Sequence, residues 1–269
     1  MHIFALELRN SWKSTVLWTI ALGLIIWLML AFFPAMQSES MQAVAGAKLD
    51  SIDPALLQIF GIESLADFTQ ITSYFGYVLQ YITIAIMVFI TQTAVATLVK
   101  EETEGSIELV YSMPVTRTQI FWQKSLAILA SFAMMILTLY IVTNIGYLLY
   151  SEYGLVESLQ ETGMFYGAVL FIGLIYFSTG LLLSSVIPSS RVGTAFVLAV
   201  VFGTLMFGIM GSLIEKLSFM MYMAPMEWVK VSKLMNEGIR PIELGIGVLV
   251  TLISMLMALF IYKKRDLRL

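Results

Sequence analysis

Six stretches of the chain stay apolar long enough to cross a bilayer, with polar segments between them. A helix needs about 20 mostly apolar residues to span the hydrocarbon core. The stretches 15–33, 74–98, 125–149, 168–187, 192–214 and 244–262 meet that length. They predict an all-α integral membrane protein with six transmembrane helices. No remaining stretch is large enough for a second, soluble core, so residues 1–269 read as one membrane domain.

The flanks add detail. Ahead of the first span, Ile3, Phe4, Leu6, Leu8 and Trp12 mix with Glu7, Arg9 and Lys13. That mixture predicts a short amphipathic helix lying along the membrane surface, with Trp12 at headgroup depth. The apolar run that follows is longer than the ~7 to 15 residues of a cleaved signal. It reads as a retained first helix. Between spans one and two, Asp53-Pro54-Ala55-Leu56-Leu57 and Glu63-Ser64-Leu65 predict short helices on the outer face. In segment 215–243, Pro225 would break a stretch that dips into the membrane edge and returns, and Trp228 would anchor it.

Composition agrees with the pattern: 59% of residues are hydrophobic and 12% charged, and the mean hydropathy is +0.89. A net charge of -3, with only short basic clusters at span edges, excludes a nucleic-acid partner. The chain has no cysteine, which removes disulfides and thiolate metal sites. Its single histidine, His2, has no companions for metal binding or acid–base work.

Basic residues set the orientation. With both termini cytoplasmic, the inner side holds Arg9, Lys13, Lys100, Arg117, Lys124, Arg191, Lys263, Lys264, Arg265 and Arg268. The outer segments 34–73 and 150–162 hold Lys48 alone. Segment 215–243 departs from this bias, carrying Lys216, Lys230, Lys233 and Arg240 beside Glu215, Glu227, Glu237 and Glu243. The charge pattern sets orientation alone; the expected location is a cell membrane crossed several times, that of a bacterium.

Several chemistries are missing. Within these boundaries no span contains Asp, Glu, His or Arg; Lys124 sits at the inner lip of the third and Glu243 at the outer lip of the sixth. Gradient-driven transporters usually keep ionisable relays inside the bilayer, so that class is disfavoured. The chain offers no His-Glu-x-x-His motif, no paired aspartates and no serine with a usable base for proteolysis. It also lacks a G-x-x-x-x-G-K-[ST] phosphate loop. It reads as a non-enzymatic subunit, and any uphill work must draw its energy from another chain.

Residues 101–117, EETEGSIELVYSMPVTR, place four acids in the inner loop between spans two and three. As a helix from Lys100 to Ser112, Glu101, Glu104 and Glu108 share one face, while Ile107, Val110 and Tyr111 share another. Pro114 ends it, and Thr116 with Gln119 has the spacing of a capping box that starts the third span. Such a helix reads either as a solvated loop or as an acidic surface for a basic socket on a partner.

The run Glu-x-Glu-Gly-Ser-Ile-Glu-Leu, followed by Met-Pro-Val-Thr-Arg, resembles the loop between spans two and three in permease subunits of ABC-2 type ABC transporters. In that family the loop forms a coupling helix that docks on the ATPase subunit. The six-span plan, the helix before span one and the long segment before span six resemble the family as well. The resemblance implies that Glu102, Glu104, Gly105, Glu108, Pro114 and Arg117, with Glu101 beside them, are the ATPase-coupling residues. It further implies a second permease chain, identical or homologous, and two P-loop ABC ATPase subunits that carry the ATP and Mg. No cofactor is expected on this chain.

Within span two, Gln80, Thr83, Met87, Thr91 and Ala94 form one stripe, mostly small or polar. The stripe reads either as a helix interface or as a translocation path or dimer seam. Asn144 in span three is open to the same two readings. Gly163 and Gly167, and Gly203, Gly208 and Gly211 in span five, read as packing notches. The methionine-rich run from Ser218 to Met226 has soft thioethers, but no Cys or nearby His completes a metal site, so no metal is predicted. The resemblance implies the transmembrane subunit of an ATP-driven exporter, and the absence of charge within the spans favours amphipathic cargo, including drugs, peptides or lipid-like molecules. The alternatives are a non-transporting sensor or scaffold that docks a cytoplasmic partner, and a channel.

Overall fold

The computed structural model describes residues 2–39, 43, 69–99, 115–187 and 190–264. It contains six long helices: α1 (His2–Met36), α2 (Ile71–Thr97), α3 (Arg117–Tyr150), α4 (Leu155–Val186), α5 (Ser190–Leu213) and α6 (Pro241–Lys264). All six are long and apolar enough to cross a membrane. Between α5 and α6 the chain forms a 3-10 helix, Glu215–Met223, and two short helices, Pro225–Trp228 and Val231–Asn236. No strand occurs among the described residues.

α2 and α4 form the centre of the bundle. α4 packs on both α2 and α6, α1 lies along α3, and α5 flanks α2. Lipid is as apolar as leucine, so close packing rather than hydrophobic exclusion must hold these helices together. The contacts fit that requirement. Gly180 of α4 lies so close to Ala94 and the Thr91 carbonyl of α2 that a methyl group there would sit 2.8 Å from the Ala94 side chain. Near the other end, the Phe75 ring meets Tyr147 edge-on at 5.6 Å and Phe165 at 6.1 Å. Outward faces remain apolar, as with Leu17, Ile20 and Leu24 of α1 and Leu249, Leu256 and Phe260 of α6.

Three expectations change. Residues 2–14 do not form a separate surface helix; they are the opening turns of α1. No proline or glycine interrupts the chain between His2 and Gly23, so nothing breaks the hydrogen-bond ladder. Ile3 and Glu7 are buried rather than lying at a free surface. The fourth helix begins at Leu155 instead of 168, reducing the preceding connection to a short turn. Glu157 explains the early start, because its carboxylate accepts the Gly154 N–H at 3.1 Å and places negative charge in the first turn. Trp228 is fully buried instead of anchoring at the interface: its Nε1 donates to Met221 O at 2.9 Å, and its ring lies beside Phe171.

Candidate functional site

The loop between α2 and α3 enters at Val99 and leaves at Val115. Glu101, Glu102, Glu104, Gly105, Glu108 and Pro114, and with them the predicted coupling helix, lie outside the described residues, as do the two predicted helices near Asp53 and Glu63. Both shoulders of the loop are described. On the far shoulder the capping box forms, with Gln119 N donating to Thr116 Oγ1 at 3.3 Å and Thr116 N to Gln119 Oε1 at 3.0 Å. Arg117, the first residue of α3, donates from Nη1 to Lys263 O at 3.1 Å and so links α3 to the last turn of α6.

The near shoulder is held by side chains of α3 and α4, the first backed by a carboxylate of α1. A helix C-terminus leaves carbonyls without intrahelical donors and carries partial negative charge. Lys124 of α3 meets both needs, donating from Nζ to Thr97 O at 2.7 Å. Its ammonium also lies 3.7 Å from the Glu7 carboxylate of α1. Ser184 of α4 donates to Val95 O at 2.7 Å and accepts from Leu98 N at 3.1 Å. Lys124 is only 2% exposed, packed among the helices at the loop end of α2. With Glu7, which lies ahead of the first predicted span, it forms an ion pair inside the helix packing.

The proposed stripe on α2 divides. Gln80 and Thr83 line a cavity of about 240 Å³ between α2, α5 and the short-helix segment. Ile84, Phe202, Leu205, Met206 and Ile209 give it an apolar wall, and Glu227 and Lys230 close one side as an ion pair at 2.7 Å. Gly208 makes room for the Glu227 side chain, since a methyl group there would lie 2.6 Å from Oε1. Thr91 lies apart from the cavity, at the close crossing of α2 and α4. The hydroxyls of Thr83 and Thr91 both bond back to their own helix, at Leu79 O and Met87 O.

Asn144 is buried between α3 and α4. Its Nδ2 donates to Tyr140 O at 2.8 Å and to Thr162 Oγ1 at 3.0 Å, and its Oδ1 accepts from Ser158 Oγ at 2.6 Å. Of the notch glycines, Gly208 and Gly211 abut Glu227 and Met221, whereas Gly167 and Gly203 face open space.

Sequence reasoning missed Glu7, Lys124, Ser184, Glu227 and Lys230 as structural partners. The signal for Lys124 was present, as a lone ammonium next to a long apolar run is costly unless another group meets it. For Glu227 and Lys230 there was little signal, because they sit in a segment that mixes both charges.

No curated protein matches the chain. A family model described as an ABC-2 family transporter protein matches residues 1–267. With six apolar helices and that match over nearly its whole length, the chain belongs to the ABC-2 transporter family and is a multi-pass membrane permease subunit of an ABC transporter.

Proposed function

We propose that this chain is one permease half of an ATP-driven exporter that moves amphipathic cargo, a class that takes in drugs, peptides and lipid-like molecules. The observation that carries the reading is the cavity of about 240 Å³, in which an apolar wall from α2 and α5 faces Gln80, Thr83, Glu227 and Lys230. Such a lining offers one surface to a hydrocarbon portion and another to a polar head. A second permease chain, identical or homologous, completes the path, and Thr91 and Asn144 help shape it through helix contacts. Two ABC ATPase subunits supply the energy and hold the ATP and Mg.

The acids Glu101, Glu102, Glu104 and Glu108, with Gly105, Pro114 and Arg117, form the surface that engages the ATPase. The shoulders of this loop lie beside the start of α1 and the end of α6, which supports an arrangement with both termini on the ATPase side, in the cytoplasm of a bacterial cell. ATP-driven approach of the two ATPase subunits moves the loop, and α2 and α3 tilt with it. Such motion does transport only where ATP state and cargo favour different conformations.

The test is to purify the chain from cells that also express the proteins encoded beside it, identify what co-purifies, and measure ATP hydrolysis. Recovery of a P-loop ATPase that the Glu108→Lys variant loses, or no longer stimulates, supports the reading. Absence of any nucleotide-binding partner from folded permease overturns it and favours a scaffold or a channel.

A further inference from the structure

The end of α2 is a mechanically special place. The helix stops at Thr97 and the chain runs into the acidic loop two residues later. A connection that simply frayed there would absorb a displacement of the loop without passing it on. The structure instead fastens this end to α3 and α4 directly, and to α1 through Lys124. Lys124 Nζ holds Thr97 O at 2.7 Å from α3, and Glu7 holds the same ammonium at 3.7 Å from α1. Ser184 Oγ bridges Val95 O and Leu98 N from α4, at 2.7 and 3.1 Å.

The chemistry is unusual for its place. Lys124, Ser184 and Glu7 are all buried. Leucine or alanine would pack at such positions without the cost of removing a charge from water, so an ion pair here is weak evidence of a role in stability alone. What it adds is geometry. An ammonium on the last carbonyls of a helix acts with the helix dipole and resists separation of the two elements. α2 and α3, the two helices that flank the loop, are thereby joined by a side-chain clasp at the point where the loop departs.

We infer that Lys124, together with Ser184, is a positioning residue that makes the loop end of α2 move as one body with α3 and α4, so that displacement of the loop reaches the cavity beside Gln80. This rests on the proposal that an ATPase drives the loop. The clasp touches neither cargo nor nucleotide.

The test uses the assembled complex of this chain with its ATPase in lipid nanodiscs. Because the chain has no cysteine, Gln80→Cys supplies a single thiol in the cavity, and its labelling rate by a small maleimide is followed with and without ATP. The variant compared with this background is Glu7→Gln/Lys124→Met, which removes both charges of the pair together and, with them, the Lys124 donor to Thr97 O. The expected result is that nucleotide changes the labelling rate in the background, and that the variant loses this dependence while still hydrolysing ATP. Ser184→Ala, which removes one oxygen atom, is the milder second variant and is expected to reduce the dependence. An unchanged dependence in the double variant, or in Ser184→Ala where the double variant does not assemble, overturns the inference. If nucleotide does not alter labelling in the Gln80→Cys background itself, the ATP-driven reading of the chain fails instead.

Discussion

Lys124 Nζ lies 2.7 Å from the main-chain oxygen of Thr97, so a side chain of α3 completes the end of α2. Glu7 lies on the other side of the same ammonium. Breaking a buried pair by removing one partner typically costs about 3–5 kcal/mol. Lys124→Met should therefore lower thermal stability in detergent more than Glu7→Gln, because the second change leaves the Thr97 contact in place. The double variant should recover part of the loss. A double-mutant cycle read by thermal unfolding checks this, and strictly additive losses would refute the pairing.

Two glycines of α5 should respond to alanine in opposite ways. At Gly208 a methyl group would press on the Glu227 side chain, which is held by Lys230. Overpacking of this kind costs about 1–3 kcal/mol. At Gly203 nothing lies within 4 Å, so alanine should stabilise the helix by roughly 0.5–1 kcal/mol. Comparing the two melting temperatures tests the geometry of α5. A loss at Gly203 that appears only in the assembled transporter would place that residue in the seam between permease chains.

Asn144→Leu removes the shared partner of Ser158 and Thr162. Polar contacts between membrane helices are worth about 0.6 kcal/mol on average and up to about 1.7. The loss should fall near the top of that range, because Tyr140 O also loses a donor. If Asn144 serves only as a helix clamp, cargo-stimulated ATP hydrolysis per folded complex is unchanged. A fall in stimulation without a fall in stability would place it in the path.

Glu243, 1% exposed at the start of α6, accepts from Arg240 at 2.7 Å and from the Lys233 ammonium, and so ties the helix Val231–Asn236 to α6. Hydrogen bonds to charged groups are worth about 1.5–3 kcal/mol. Glu243→Gln should release that helix, raising amide exchange in a peptide covering it by about tenfold or more. Hydrogen exchange followed by mass spectrometry is the measurement, and unchanged protection would show that packing of Val231 and Leu234 holds the helix without the carboxylate.

The six helices were legible because span-length apolar runs are a strong, one-dimensional signal. Their ends were less so, since helical structure continues past the apolar run wherever polar residues find partners, as Glu7 and Glu157 do. The capping box at Thr116 was readable from spacing alone, being local. The clasp at the end of α2 was not, because Glu7, Lys124 and Ser184 are far apart in sequence and gather there only once four helices are packed. The cavity shows the same division. Gln80 and Thr83 could be picked from a stripe on one helix, but Glu227 comes from a segment whose mixed charges resemble a solvated loop. Its burial follows from the space left at Gly208.

Arg117 tests whether one residue serves two surfaces. It belongs to the loop motif, yet its guanidinium holds Lys263 O and so closes the far shoulder of the loop against the end of α6. A bond of this kind at a partly exposed position contributes about 0.5–1.5 kcal/mol. Arg117→Ala should therefore unfold little of the protein while raising amide exchange in the last turn of α6. If the residue acts on the ATPase through this contact, Arg117→Ala retains the ATPase on purification but weakens its stimulation, and Arg117→Lys restores only part of it, since an ammonium lacks the planar fork of donors. Loss of the ATPase altogether, with α6 still protected, would instead make Arg117 a direct docking residue and leave the end of α6 held by other contacts.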